Sequence, residues 1–211
     1  MDLINYLKNI YGYDTPIFIK DVRIGRKSKT AIREEFYRAS KSGELERKSN
    51  GVYFLRSDKE FGSGVLFTQI IERKFLYSEN VIEGMESLFV EGYYSGMTFL
   101  NRIGLSEQVP AMPEITTNRT SSKKRYYVCG KSVAIIRKSK VNVDESNYLI
   151  LQFLDMFHYL SIDEVKKNKE KIIEYINKVE LTKEMLVKYL GLYKGQTMKK
   201  IVEGGIINAF M

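Results

Sequence analysis

Apolar residues at the start of the chain recur with the spacing of short helices. Leu3, Leu7 and Ile10 fall on one side of a predicted first helix, for which Asp2 is a suitable N-cap. Residues 17–22 are partly apolar and follow a proline, which is favoured at the first position of a helix. They therefore predict a second short helix.

The third predicted helix has one apolar and one polar side. Ser28 is a suitable N-cap, and Gly43 lies where a left-handed residue commonly ends a helix, so we expect helix from Ser28 to about Ser42. At about 100° per residue, one side carries Ile32, Phe36 and Ala39, and a different side carries Thr30, Arg33, Tyr37 and Lys41. The first side is expected to join a core, and the second is free to contact a partner.

A hairpin is predicted directly after this helix. Asn50-Gly51 is a strong two-residue turn signal because both residues tolerate positive φ. Leu45, Val52, Phe54 and Leu55 give the hairpin its apolar side chains. Short helices followed by such a hairpin are the order of a winged helix-turn-helix, a DNA-binding module, which we expect for residues 1–57.

Basic and polar side chains collect on the free side of the third helix and on the hairpin. At a helix N-terminus the backbone N–H groups also attract phosphate. The predicted DNA contacts are Arg26, Lys27, Ser28, Lys29, Thr30, Arg33, Tyr37, Arg47, Lys48 and Asn50. Glu34 and Glu35 argue against a purely electrostatic clamp and leave room for base readout. The alternative is a small helical domain with a solvated basic face.

The pattern changes after residue 57. Residues 58–64 are polar and glycine-rich and predict a linker, so residues 65–211 form a second domain. Helix is expected over 65–76, whereas the period over 81–90 fits a helix or a strand. A small sheet is predicted at about 113–138 and helices at about 145–205, which makes the fold class α+β, with a mixed α/β C-terminal domain that ends in helices.

Composition narrows the possible partners. A formal net charge of +8 and a pI near 9.3 favour an anionic partner, which nucleic acid, a membrane surface or an acidic protein could provide. The single cysteine, Cys129, excludes an intramolecular disulfide, and no Cys/His cluster has metal-ligand spacing. Without a signal peptide pattern or an apolar run of about 18 residues, we expect a soluble cytoplasmic protein that binds neither a membrane nor a cofactor.

A second basic segment covers residues 119–140, which include eight Lys and Arg residues and no Asp or Glu. Its predicted surface consists of Lys123, Lys124, Arg125, Arg137, Lys138 and Lys140. Two interpretations remain open. The lysines either protect a solvated hairpin edge from aggregation or make a second nucleic-acid contact.

Catalytic motifs are not indicated by the sequence. Gly130-Lys131-Ser132 lacks the earlier glycine of a phosphate-binding loop, because position 125 is arginine. Asp155 and His158 are three residues apart on an apolar helix, where a lone histidine is usually a packing residue. We therefore expect no enzymatic activity, and a nuclease is the least favoured alternative because no metal-binding carboxylate cluster stands out.

Two blocks of the sequence resemble the AbiEi-type antitoxins of abortive-infection (type IV) toxin–antitoxin systems. They are Gly51-Val52-Tyr53-Phe54 at the end of the predicted wing, and Gly92-Tyr-Tyr-Ser-Gly96 followed by Gly104-Leu-Ser-Glu-Gln-Val-Pro110, which is similar to the family pattern G-Y-x-S-G…G-L-x-x-Q-V-P. The strand pair around Cys129-Gly130-Lys131 and the tail 193–200 resemble further family features. Residues 77–91 are an extra segment relative to the family.

The resemblance implies a phage-defence function. On this resemblance, the N-terminal domain of the protein would bind promoter DNA and repress the protein's own operon. The C-terminal domain would counter a nucleotidyltransferase-fold toxin and contact DNA as well. The second basic surface would then face DNA or the toxin. The alternative hypothesis is a stand-alone winged-helix regulator whose C-terminal domain senses a ligand or forms dimers.

Overall fold

The computed structural model describes residues 2–57, 64–82 and 85–210. Its mixture of helices and small sheets confirms the α+β class. The chain divides into two compact units, Met1–Lys74 with Val128–Ser132, and Phe75–Tyr127 with Val133–Met211. The second unit thus begins ten residues later than the predicted second domain, and residues 58–63 of the predicted linker lie outside the described part of the chain.

The first unit combines helices with a three-stranded antiparallel sheet. In chain order its elements are α1 Leu3–Tyr11, β1 Ile17–Phe18, α2 Lys29–Ser42, β2 Glu46–Ser49, β3 Val52–Phe54 and α3 Phe67–Phe75. The strand order is β1-β3-β2. Its core includes Leu7, Ile32, Phe36 and Tyr53, with the rings of Phe36 and Tyr53 5.1 Å apart in an edge-to-face pair.

The predicted helix over 17–22 is wrong. Ile17 and Phe18 form β1 and pair with Tyr53 and Val52 of β3, and a turn follows. The edge of β3 offers backbone groups that need partners, and β-branched and aromatic residues suit a strand. Tertiary pairing therefore decides a segment whose local pattern was weak.

Helix α2 has the predicted ends and the predicted buried side. The Ser28 hydroxyl accepts a hydrogen bond from Ala31 N at 3.2 Å, and Gly43 is left-handed with φ 83°. Ile32, Phe36 and Ala39 are buried. Asp2 occupies the N-cap position of α1, but its side chain makes no capping bond.

Asp14 joins distant parts of the first unit. It has a positive φ of 52°, and its carboxylate accepts hydrogen bonds from the Ser57 hydroxyl and, at 2.9 Å, from Gly64 N. Ser57 and Gly64 flank the residues that are not described. The side chain thereby holds both ends of this connection beside residue 14.

The second unit contains two sheets and a set of helices. Its elements are β4 Tyr77–Ile82, β5 Met85–Val90, β6 Gly92–Tyr94, α4 Gly96–Arg102, β7 Glu114–Thr117, β8 Lys124–Cys129, β9 Ser132–Lys138, α5 Tyr148–Met156, α6 Ile162–Lys167, α7 Lys169–Lys178, α8 Lys183–Leu190 and α9 Gly195–Glu203, followed by a 3₁₀ turn Ile207–Phe210. Strands β4 and β5 form an antiparallel pair, so the ambiguous segment 81–90 contains strands. The larger sheet has the order β6-β7-β9-β8, with β7 and β9 parallel.

Helix α5 forms the centre of the second core. Ile150, Leu151, Phe153, Leu154 and Met156 are all buried, as the apolar sequence of this segment predicts. A capping box begins α6, because the Ser161 and Glu164 side chains each accept a hydrogen bond from the other residue's backbone N–H. Asn168 separates α6 from α7.

Gly96 stands against a buried carboxylate. It has φ +60°, and a Cβ atom there would lie 2.6 Å from Glu114 Oε2. Glu114 is held in place by the Tyr159 hydroxyl and the Arg137 guanidinium. Only glycine satisfies both the backbone conformation and this close approach.

We expect Gly96→Ala to destabilise the protein more than Gly104→Ala, a matched control that also has a positive φ but has open space around its Cβ position. The left-handed conformation alone should cost about 1–2 kcal/mol in the free energy of unfolding for either variant. The clash at Gly96 should add about 1–3 kcal/mol. Urea unfolding measures both, and equal losses would contradict the packing described for Glu114.

The hydrogen bond from Ser57 holds the pKa of Asp14 below its usual value. The stabilisation from this carboxylate should therefore be present at neutral pH and be lost as the pH falls through the folded-state pKa. Asp14→Asn keeps a residue that tolerates positive φ. We expect the wild-type protein to be more stable than this variant at pH 7 and the difference to shrink below about pH 4. A difference in melting temperature that stays constant with pH would contradict the proposed ionic contribution.

Candidate nucleic-acid interface

Helix α2 presents a polar face opposite the side that it buries. Thr30, Arg33, Tyr37 and Lys41 are all exposed and share this face. The Tyr37 side chain is 59% exposed, and Lys41 Nζ lies 5.1 Å from the centre of its ring. An exposed aromatic ring between cations is unusual for a purely solvated helix face, and it is available for contact with a ligand.

Cations also surround the N-terminus of α2, but not all of them are free. Lys27 Nζ contacts both carboxylate oxygens of Glu35 at 2.7 and 2.9 Å. Arg26, Lys29 and Arg33 are exposed, and no ion pair joins them to another described residue. Of the four predicted cations here, three remain available to an anionic ligand.

Hydrogen bonds within the β2–β3 hairpin orient Arg47. Arg47 Nη2 donates to Asn50 Oδ1 at 3.2 Å, and its Nε donates to Ser49 O at 3.4 Å. The strand register shifts between Arg47 and Ser49, which places the intervening Lys48 in a bulge. The predicted residues Arg47, Lys48 and Asn50 are exposed together at the hairpin turn.

Arg38 and Lys41 were absent from the predicted set of DNA contacts. Both are exposed on α2. The 100° periodicity that placed Tyr37 on the polar side also placed Lys41 there and puts Arg38 one residue beyond it. The sequence therefore contained the signal for Lys41, whereas Arg38 lies about 100° around the helix from Tyr37.

Several cations of the second basic segment form ion pairs with acids from elsewhere in the chain. Arg137 pairs with Glu114, Lys140 Nζ lies 2.7 Å from Asp155 Oδ1, and Arg119 pairs with Glu91. Arg125 Nε donates to Thr120 Oγ1 at 3.1 Å, and the guanidinium lies 5.4 Å from the Phe75 ring. Of the six predicted residues, Lys123, Lys124 and Lys138 remain as exposed cations that make no ion pair with a described residue.

The carboxylates of Glu114 and Asp155, which pair with Arg137 and Lys140, also accept hydrogen bonds from tyrosine hydroxyls. Glu114 is 7% exposed and accepts from the Tyr159 hydroxyl at 2.5 Å. Burial raises the pKa of Tyr159, and its bond to Glu114 raises it further. Asp155 accepts from the Tyr93 hydroxyl at 2.6 Å, and burial likewise raises the pKa of Tyr93. Both phenols are therefore donors at neutral pH.

Asp155 and His158 do not form the acid/base pair considered from the sequence. Asp155 is bound by Tyr93 and Lys140, and the exposed His158 ring packs edge-on against Tyr159 at 5.3 Å. Within residues 2–57, 64–82 and 85–210, no three His, Cys, Asp or Glu side chains are grouped to hold a metal ion. No helix in this part of the chain is long and apolar enough to cross a membrane.

Comparison with protein-family models, curated proteins and solved structures finds no match for this chain. Function must therefore be inferred from the residues and contacts described above. In the described part of the chain, helix α2 and the residues before it present exposed cations and polar side chains that suit an anionic ligand.

Proposed function

We propose that the first unit is a winged-helix module that binds duplex DNA, with α2 in the major groove and the β2–β3 hairpin as the wing. The polar face of α2, set opposite the buried Ile32, Phe36 and Ala39, is the observation that carries this proposal. The order helix, strand, helix, hairpin and the pairing of β1 with β3 also support it, because a winged helix pairs its first strand with the second strand of its wing. Residues 17–22, predicted as the second short helix, instead form β1 and a turn.

The side chains on and beside α2 suit two kinds of contact. Arg26 and Lys29, at the start of the helix, are placed to neutralise phosphates. Thr30, Arg33 and Tyr37 lie on the face that would meet base edges, where arginine binds guanine and a hydroxyl or methyl group contacts several bases. The wing residues Arg47 and Lys48 add backbone contacts that fix orientation without reading sequence.

We further propose that the whole chain is a non-enzymatic antitoxin that represses its own operon and counters a nucleotidyltransferase-fold toxin. The resemblance of the Gly92–Gly96 block and of Gly104–Pro110 to AbiEi-type antitoxins supports this assignment. In the structure these blocks form β6, the start of α4 and the loop after α4, where Gly96 packs against Glu114. A stand-alone regulator would share the DNA-binding unit but would have no toxin to counter.

Replacing Arg26, Lys29 and Arg33 with alanine should abolish binding to the promoter of the protein's own operon at moderate salt. If Arg26 and Lys29 each neutralise one phosphate, the slope of log affinity against log salt should fall by roughly 2, and the loss of the base contact of Arg33 should lower the affinity further. The three side chains are exposed, so the melting temperature should change little. Fluorescence anisotropy with a labelled promoter duplex at several salt concentrations measures the affinity and the slope.

The matched control is Lys166→Ala, Lys178→Ala, Lys183→Ala, which removes the same charge from exposed positions of the second unit. It should leave most of the affinity intact. Glu35→Gln should act in the opposite direction, because it releases Lys27 from its ion pair and removes a negative charge from α2. If the triple variant and the control bind equally, α2 does not contact the DNA.

Co-expression with the neighbouring gene of the operon tests the antitoxin proposal. We expect the full chain, produced from an independent inducible promoter, to restore the growth of cells in which that gene product is toxic. The variant with alanine at Arg26, Lys29 and Arg33 should also restore growth, because repression is bypassed. A neighbouring gene that is not toxic, or toxicity that the full chain leaves unchanged, would favour the stand-alone regulator.

A further inference from the structure

Strand β8 is an outer strand of the larger sheet, whose order is β6-β7-β9-β8. The other outer strand, β6, has three residues, and all of them are buried. Strand β8 has six residues, of which Lys124, Tyr126 and Val128 are exposed. An outer strand carries backbone groups that a further strand can join, and proteins commonly limit this by making such strands short. Of the two outer strands, β8 is therefore the one that is long enough and exposed enough to receive a partner.

The register of the β8–β9 hairpin shows which backbone groups of β8 point away from β9. A two-residue turn joins these antiparallel strands, and Lys138 N donates to Lys123 O at 3.5 Å. Because residues along an antiparallel ladder alternate between bonding to the partner strand and pointing away from it, the backbone groups of Lys124, Tyr126 and Val128 point outward. No strand in the described part of the chain pairs with them.

The side chains of the same three residues share one face of β8, because side chains alternate along a strand. The Tyr126 side chain is 56% exposed, and the Val128 side chain is 61% exposed. The opposite face is covered, since the Arg125 guanidinium lies 5.4 Å from the Phe75 ring. The outward backbone groups and exposed side chains of Lys124, Tyr126 and Val128 are named here the β8 edge. It offers backbone donors and acceptors together with two uncovered apolar side chains.

We propose that the β8 edge pairs with the same edge of a second copy of this chain, antiparallel and centred on Tyr126. Tyr126 would lie opposite the partner's Tyr126, and Lys124 would lie opposite the partner's Val128. Each of these pairs would exchange both backbone hydrogen bonds. Because both copies use the same edge, the contact is closed and stops at a dimer. The proposal does not rest on DNA binding or on antitoxin activity.

The sequence of β8 is complementary to itself in this register. The basic residues Lys124 and Arg125 come first in the strand, and Tyr126, Tyr127 and Val128 follow. Antiparallel pairing sets the basic half of each copy against the apolar half of the other, so no two cations lie directly opposite each other. Arg125 would lie opposite the partner's Tyr127, where a cation–π contact is possible, and the central tyrosines would form an aromatic cross-strand pair.

Other registers and other partners fit the β8 edge less well. A register that sets Lys124 opposite the partner's Lys124 would oppose like charges and leave Val128 outside the paired region. An acidic strand would find one cation on the exposed face, Lys124, and would leave the two apolar side chains without a defined partner. Nucleic acid has no row of backbone donors and acceptors that matches the spacing of a strand.

Sedimentation equilibrium of the full chain measures the predicted self-association. The protein concentration should run from about 1 to about 300 µM, because a contact between two single strands belongs to the weak end of protein–protein interfaces. We expect a reversible monomer–dimer equilibrium that becomes tighter when NaCl is raised from about 0.15 M to about 0.5 M, since salt screens the repulsion between two chains of net charge +8. Tyr126→Lys should weaken the dimer by about 10-fold or more, because it replaces the central aromatic pair with two like charges.

A charge exchange at the same position tests the register. Tyr126→Glu also sets two like charges opposite each other, but an equimolar mixture of the Tyr126→Lys and Tyr126→Glu chains sets opposite charges across the central pair. The mixture should therefore dimerise more tightly than either variant alone. Tyr13→Lys is the matched control, because it makes the same change at a tyrosine of the first unit that is 50% exposed, and it should leave the dimer unchanged. Circular dichroism should show an unchanged fold for all three variants, whose altered side chains are exposed.

Four results would overturn the proposal. A wild-type chain that stays monomeric at the higher salt and the highest concentration would exclude self-pairing. Equal dimer affinity of Tyr126→Lys and Tyr13→Lys would place the contact elsewhere, and a mixture no tighter than its components would exclude the proposed register. A monomeric chain that binds a synthetic peptide of alternating glutamate and valine would assign the edge to an acidic strand. The assay contains neither DNA nor toxin, so its failure is distinguishable from a failure of the functions proposed above.

Discussion

The second unit depends on one buried carboxylate. Glu114 accepts hydrogen bonds from Tyr159 and Arg137, and its side chain fills the space that a Cβ atom at position 96 would need. These contacts join β7, β9, the turn after α5 and the start of α4. A buried charge without partners costs several kcal/mol, so each contact is needed to keep the others favourable. The network is therefore a strong constraint on this part of the fold.

The same constraint explains why charge counting along the sequence overstates the second basic surface. The acids that neutralise Arg137 and Lys140 are Glu114 and Asp155, which are 23 and 15 residues away in the chain. Only the fold brings them together. Among the described residues, Lys123, Lys124 and Lys138 have no such partner, so the charge that remains is smaller than the segment suggests.

Local sequence signals predicted local structure well, but they could not predict which strands pair across long distances in the chain. The cap at Ser28, the left-handed Gly43 and the buried side of α2 follow from short-range rules that the sequence displays directly. The proline before residues 17–22 favoured a helix, but the pairing of β1 with β3 decided their structure across more than 30 residues. The polar side of α2 was predictable for the same reason as its buried side, whereas the Lys27–Glu35 contact depends on how the preceding turn packs.

That contact affects how a basic protein can distinguish sequences. A chain with net charge +8 attracts any duplex, and phosphate contacts raise affinity for all sequences alike. Glu35 removes Lys27 from this general attraction, and the exposed Glu34 reduces it further. Thr30, Arg33 and Tyr37 then account for a larger share of the proposed contacts. In the proposed interface, acids beside α2 would thus lower the overall affinity for DNA and increase the relative weight of base readout.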